Sequence, residues 1–435
     1  MTTTGVMGLD AVEIVPAGPL SGVLAAPSSK SVTNRLLVIA ALAEGTSRLG
    51  SVLRSDDTAV MMAGLAAFGA GVRDIGDDRI EVAGTAGHLS TPDDVVSAGL
   101  SGTTLRWLAA VALLAPGPVV LDGAGPLRQR PILPLLQALE SLGATIETDG
   151  GRPPLRISSG GLPGGRIRVD AAESSQFATS LLLVAPYAEH DLELEVVNLG
   201  AAGYVDLTVE AMSRWGAAVA APDDAHFVVT AGRHYRARDE IVEYDASAAA
   251  HLFALAMATG GNVMVANAVA TRQPDSGIVA VFEEMGGEVS GNPGGGVTVA
   301  RPGELRGVDV DVALMPDQVP TLAVLGVLAS GTTTLRHVSV SRGHETDRVT
   351  AIARELTSLG ASLEDDGDDT LVVHGGHRLH GGVVDTYDDH RMAMALSSLA
   401  AVVAGVTIRD PGCVAKTYPR YWEDAAALGL RRAGG

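Results

Sequence analysis

Six glycines, Gly69, Gly143, Gly216, Gly286, Gly360 and Gly429, each close an amphipathic stretch in an LGA-like context, at intervals of 74, 73, 70, 74 and 69 residues. A glycine just past the last periodic residue is the usual end of a helix, because it enters the left-handed region without a Cβ penalty. Ahead of each lies a more apolar segment that reads as helix, small-residue turn and strand. These segments are 36–53, 105–121, 177–197, 248–269, 320–338 and 391–408. After most of the glycines comes a strand, a turn and another strand, as in 361–374. The chain therefore reads as one mixed α/β unit of about 72 residues written six times, larger than the roughly 20–50-residue period of solenoids. Three units to a domain is the natural division of 435 residues.

The core that such units can build is set by composition. The chain is 46% hydrophobic but 3% aromatic, so Ala, Val and Leu must fill it as helices packed on sheets. No apolar run reaches the roughly 18 residues of a membrane span, and Met1–Gly5 lacks the basic start and apolar core of a signal peptide. A single cysteine excludes a disulfide framework and any multi-cysteine metal site. The expectation is a cytoplasmic protein. Its net charge of −20 argues against nucleic acid or an acidic membrane as partner. If the ligands are anions, cations must be gathered locally. Here 29 of the 31 basic residues are arginine, and the lysines are Lys30 and Lys416. A lysine in such a chain marks a place where a compact, orientable ammonium matters.

Polar, reactive residues collect where each unit's first helix begins: Lys30–Arg35, Ser101–Arg106, Ser174–Gln176, Asp245–Ser247, Asp317–Thr321 and Asp389–Arg391. Helix N-termini present unpaired N–H groups and the positive end of the dipole. The first three entries hold Ser, Thr, Gly, Lys and Arg without an acid and read as anion sites. Asp245, Asp317 and Asp389 read by default as N-caps.

These strings, in this order, resemble the 5-enolpyruvylshikimate-3-phosphate synthase family (3-phosphoshikimate 1-carboxyvinyltransferases) over nearly the whole chain. The resemblance rests on Lys30-Ser31-x-x-Asn34-Arg35, Ser55-Asp56-Asp57-Thr58, Gly102-Thr103-x-x-Arg106 and Arg130-Pro131-Ile132. It continues through Ser174-Ser175-Gln176, Asp317, Glu345-x-Asp347-Arg348, Asp389 to Met394 and Asp410-Pro411-x-Cys413-x-x-Lys416-Thr417. It implies two domains, each of three βαβαββ-type units about a pseudo-threefold axis, with the active site in the cleft between them. The domains would be 1–27 plus 242–435 and 28–241, with chain crossings near 25–29 and 238–244. It further implies transfer of the enolpyruvyl group of phosphoenolpyruvate to the 5-hydroxyl of shikimate 3-phosphate, with loss of phosphate, by a monomer needing no metal or organic cofactor. By the same resemblance Lys30, Gly102, Arg130, Arg348, Arg391 and Lys416 surround phosphoenolpyruvate. Ser31, Arg35, Ser174, Ser175, Gln176, Tyr204, Asp317 and His344 hold the acceptor. Asp317, Glu345 and Lys30 are the proton-transfer candidates.

The chain departs from the family's usual pattern at Ser28 (for Gly), Leu100 (for Asn) and His344 (for Lys). Ala201 stands near a position where a serine helps hold the acceptor phosphate, and Glu173 adds negative charge beside Ser174. These two keep open a different cyclic acceptor in specialised metabolism; a non-catalytic anion-binding relative is the other alternative. A sugar-nucleotide enolpyruvyl transferase of the same fold ranks low, because it usually uses a loop cysteine. His374, His377 and His380 read as a surface strand connection rather than a metal tract, 291–296 as a hairpin turn, and Cys413 as a structural thiol.

Overall fold

The computed structural model describes residues 6–130, 132–292 and 294–434, with the Met7 side chain excepted. The start Met1–Gly5, Pro131 of the Arg-Pro-Ile string and Pro293 of the glycine-rich turn lie outside the described residues.

The six repeats appear as six four-stranded sheets of one design. In Ser28–Glu243 the hydrogen-bonded orders are Glu240–Ile241, Thr46–Gly50, Arg79–Ala83, Gly71–Gly76; then Val96–Ser97, Val119–Asp122, Arg152–Ser158, Thr145–Asp149; then Gly165–Asp170, Leu192–Val197, His226–Val229, Val219–Asp223. In each, the first two strands are parallel and the rest antiparallel. A parallel pair needs a crossover, and in the second and third sheets the buried helices Gly102–Val111 and Gln176–Val184 supply it. The first of these sheets completes itself with Glu240–Ile241, from the far end of the same unit.

The other compact unit joins Met1–Pro27 to Tyr244–Gly435. Its sheets repeat the pattern, and the N-terminal segment supplies two strands. Ser21–Leu24 runs parallel to Asn262–Val265, and Ala11–Val15 lies between Val406–Arg409 and Arg431–Arg432. The division falls at Pro27/Ser28 and Glu243/Tyr244. Val242 belongs to the apolar core of Ser28–Glu243, and Ser29 N–H donates to Glu243 C=O at 2.8 Å. On the other side of the division Asp245 N–H donates to Pro27 C=O, also at 2.8 Å.

Each unit has its own Ala/Val/Leu core. Helices Ala246–Thr259 and Val319–Leu328 are buried along almost their whole length, as helices apolar on every side should be. All six interval glycines have positive φ. Each ends its helix in the same paired pattern: Gly69 N–H reaches Ala66 C=O while Ala70 N–H reaches Leu65 C=O, and likewise at the other five. That is the double hydrogen bond of a Schellman cap.

The expected caps need one correction. Ser29, Ser101, Asp245 and Asp389 cap their helices with side-chain bonds, but Asp317 does not. It sits in the short turn Pro316–Gln318, ahead of Val319–Leu328, whose Gln318 cap makes no side-chain bond. Two guanidinium groups have claimed the Asp317 carboxylate instead. No helix among the described residues is long and apolar enough to cross a membrane.

Candidate active site

In Ser28–Glu243 the first three helix entries carry the polar groups. Lys30 opens helix Lys30–Leu42, and its Nζ lies 3.3 Å from Asp57, at the start of helix Asp56–Ala67. Both side chains are largely buried, so the ammonium is aimed rather than free to wander. Arg35, one turn further on, is almost wholly buried. Its Nε donates to Thr208 Oγ1 at 2.8 Å, and its two terminal nitrogens donate to Ser31 C=O at 2.8 Å and Tyr204 C=O at 2.6 Å. Trp107 lies beneath it at 5.2 Å. Burial lowers its pKa to about 10, still charged at neutral pH. Arg35 thus fixes Ser31 and Tyr204 relative to each other.

Gly102 begins the helix capped by Ser101. A Cβ there would lie 3.1 Å from Arg106 Nη1 and 3.5 Å from Arg130 Nη1, so two guanidinium groups crowd this helix start. Arg106 also donates to Gln176 Oε1 at 2.9 Å, tying this entry to the next. Ser174 Oγ accepts from Gln176 N–H at 3.3 Å, while Ser175 makes no cap bond. Positive helix ends and arginines together favour an anion with several oxygens. Ala201 holds φ +52° and offers no hydroxyl, and Glu173 is exposed beside Ser174.

The other unit builds a denser cluster around Arg348, which is 1% exposed. Its Nε donates to Asp389 Oδ2 at 2.7 Å. One terminal nitrogen donates to Glu345 at 2.7 Å and Asp389 Oδ1 at 3.2 Å, and the other to Asp317 at 2.6 Å and His344 Nδ1 at 2.9 Å. A guanidinium has five N–H donors, so these bonds use all of them. Arg391 adds a bond to the other Asp317 oxygen at 2.7 Å, and Lys416 Nζ lies 3.1 Å from the other Glu345 oxygen. Three cations and three carboxylates interlock.

Burial alone would raise the Asp317 pKa, but Arg391 and Arg348 overcome it and hold the carboxyl well below the usual range. For His344, burial and then Arg348 push the imidazole down to about 4, so it is neutral at pH 7 and accepts from Arg348 through Nδ1. The cation that a lysine would place there is absent.

Each site residue expected from the sequence is thus found beside another of its own unit: Lys30, Ser31, Arg35 and Tyr204; Gly102, Arg130, Ser174, Ser175 and Gln176; Asp317, His344, Glu345, Arg348, Arg391 and Lys416. Three further members were given no site role from the sequence. Asp57 and Asp389 sit inside the Ser-Asp-Asp-Thr and Asp-His-Arg strings, and Arg106 inside Gly-Thr-x-x-Arg; their strings were visible, their partners were not. Elsewhere, His374 pairs with Glu364 at a strand end, residues 291–296 join the antiparallel strands Glu288–Gly291 and Val297–Ala300, and burial pushes the Cys413 thiol up, away from reactivity.

A family profile described as EPSP synthase (3-phosphoshikimate 1-carboxyvinyltransferase) matches residues 14–425. A 3-phosphoshikimate 1-carboxyvinyltransferase of Methanoculleus marisnigri is 40% identical over 424 residues, covering 96% of this chain and 99% of the relative. The chloroplastic enzyme of Brassica napus is 40% identical over 437 residues, covering 95% and 84%. Among solved structures, an EPSP synthase from Acinetobacter baumannii superposes with a TM-score of 0.82 at 24% identity, covering 98% of this chain and 100% of that one, which establishes a shared fold.

Proposed function

The chain belongs to the EPSP synthase (3-phosphoshikimate 1-carboxyvinyltransferase) family, and from that premise we propose that its two clusters are the two halves of one active site. The activity is that of the family: the enolpyruvyl group of phosphoenolpyruvate passes to shikimate 3-phosphate in the shikimate pathway, and phosphate leaves. What supports the assignment of roles is that neither unit holds a full set. Ser28–Glu243 offers cations and hydroxyls, and the other unit offers carboxylates with their cations. A cleft closing between the two would unite them and exclude water.

In this reading Gly102, Arg130 and Lys30 receive phosphoenolpyruvate from one side, and Arg348, Arg391 and Lys416 from the other. Ser174, Ser175, Gln176 and Tyr204 hold the acceptor's phosphate and ring. Ser31, positioned by Arg35, meets its hydroxyls with Asp317, and neutral His344 serves as a hydrogen-bonding group rather than a cation. The acceptor hydroxyl must lose a proton, the methylene carbon must gain one, and the methyl group so formed must lose one as phosphate departs. Asp317 and Glu345, the latter held between Arg348 and Lys416, are the candidates for these transfers, with Lys30 as a further proton carrier.

The single observation that carries this reading is the saturation of Arg348. A substrate carboxylate can bind it only by taking the place of a protein group. Exchange with Glu345 would free that carboxyl for proton transfer just as phosphoenolpyruvate arrives, so binding and catalysis are linked. We also read the protein as a cytoplasmic monomer.

The test is phosphate release from phosphoenolpyruvate with shikimate 3-phosphate, with unphosphorylated shikimate, and with no acceptor. Release that requires shikimate 3-phosphate is expected. Release with another cyclic alcohol in its place would favour the different acceptor that Ala201 and Glu173 allow, and no release with any acceptor would leave only an anion-binding relative.

A further inference from the structure

Behind the Asp317–Arg391 pair lies a carboxyl group that the reaction as described does not use. Asp275, in the short turn Pro274–Gly277, is completely buried. Its Oδ2 accepts from Ser247 Oγ, in the first turn of helix Ala246–Thr259, and from Gln318 Nε2 at 3.1 Å. Gln318 is the residue next to Asp317. Among the described residues, Asp275 Oδ1, Gln318 Oε1, Arg391 Nε and His251 Nε2 are buried without a hydrogen-bond partner. Such a group is costly to keep ionised. As scaffold it needs only a carbonyl oxygen for Ser247 and Gln318, which an amide would provide. The charge is what an amide lacks.

We propose that Asp275 is a positioning residue for the known reaction, tying Gln318 to the first turn of helix Ala246–Thr259 and acting as a second counter-charge to Arg391 beside Asp317. This rests on the reading of Asp317 and Arg391 as substrate-contacting groups. The charged groups acting on Asp275 are Asp317 and Arg391, after burial, and their balance leaves its pKa raised. Arg348 and Asp245, the cap of helix Ala246–Thr259, act in turn on Arg391, and Arg391 with burial holds His251 of that helix neutral. With Asp275 ionised, Arg391 divides its attraction between two carboxylates and Asp317 keeps some basicity. With Asp275 neutral, Arg391 draws on Asp317 alone, which weakens it as a proton acceptor without weakening the cation that meets the substrate anion.

The test is the pH profile of phosphate release for Asp275→Asn and Gln318→Met, with thermal unfolding as a control for folding and Asp317→Asn in parallel. Asp275→Asn should lower kcat about tenfold, equivalent to about 1.4 kcal/mol of barrier, with no rise in KM for phosphoenolpyruvate, and the acid limb due to Asp275 should vanish. Gln318→Met removes a donor to the charged form, so that limb should move up by about one pH unit. A folded Asp275→Asn enzyme with unchanged kcat, or with kcat lowered but the acid limb intact, would overturn the proposal. Should Asp275→Asn not fold, an unmoved limb in Gln318→Met would overturn it equally. If Asp317→Asn is inactive while Asp275→Asn behaves as wild type, only this inference falls; if Asp317→Asn keeps wild-type turnover, the reading of the site itself falls.

Discussion

Arg348 and Arg130 both belong to the proposed phosphoenolpyruvate site, but they differ in what surrounds them. Arg348 neutralises three carboxylates in a buried setting, so Arg348→Met leaves those charges uncompensated and should destabilise its unit by about 3–5 kcal/mol. Arg130 is half-buried beside a helix start, and Arg130→Met should raise KM for phosphoenolpyruvate while stability stays within about 1 kcal/mol. Denaturant midpoints and initial rates on the two variants separate these outcomes. His344 and His251 give a pH signature. Both are held neutral in the folded protein with depressed pKa values, His344 at about 4. The unfolded chain titrates near the ordinary histidine value of about 6.5, so between those two values it binds more protons than the folded state. Stability should therefore rise with pH from about 4 to 6.5 and level off above it. In His344→Gln the rise should be shallower, which urea midpoints at pH 4.5, 5.5 and 7 would show, while a slope unaltered by the substitution would mean His344 is already charged in the folded state.

At the scale of elements, the six left-handed glycines are equivalent in conformation but not in surroundings. Gly286 has φ +97°, and a Cβ there would meet the Glu304 carbonyl at 2.9 Å; Gly429 has φ +108°, and a Cβ there would meet only the end of Leu20 at 3.3 Å. Alanine in the left-handed region costs about 1–2 kcal/mol at either place, and a backbone oxygen cannot move aside as a leucine tip can. Gly286→Ala should thus lower the denaturation midpoint more than Gly429→Ala, and the reverse order would show that the cap at 286 relaxes freely. These caps also explain why the repeat was legible in sequence. A Schellman glycine, a serine or aspartate cap and an apolar run are local signals, and each lies within a few residues of what it determines. Sheet completion is not local. Nothing near Thr46–Gly50 announces that Glu240–Ile241 will lie beside it. The site was legible as strings, Lys30–Arg35 or Glu345–Arg348, while its pairings were not: Lys30 with Asp57, Arg348 with Asp389, Asp275 with Gln318. Asp317 was misread as a cap because the rule for helix entries looks three residues ahead, whereas the groups that hold this carboxylate come from two other helix starts, at Arg348 and Arg391.

For the whole molecule, a net charge of −20 surrounds a reaction between two anions. The bulk field repels both substrates, so attraction must come from the few cations gathered in each unit, and among these Lys30 and Lys416 are the only lysines in the chain. The central claim is that these two, far apart in sequence and in different units, face one phosphoenolpyruvate. A double-mutant cycle tests this directly: the binding of phosphoenolpyruvate in the presence of shikimate 3-phosphate is measured by calorimetry for wild type, Lys30→Ala, Lys416→Ala and the double variant. If both ammonium groups hold the same anion, removing one should lessen the loss from removing the other, with a coupling of about 1 kcal/mol or more. Strictly additive losses would mean that the two lysines serve separate sites, and the two clusters would then not be halves of one.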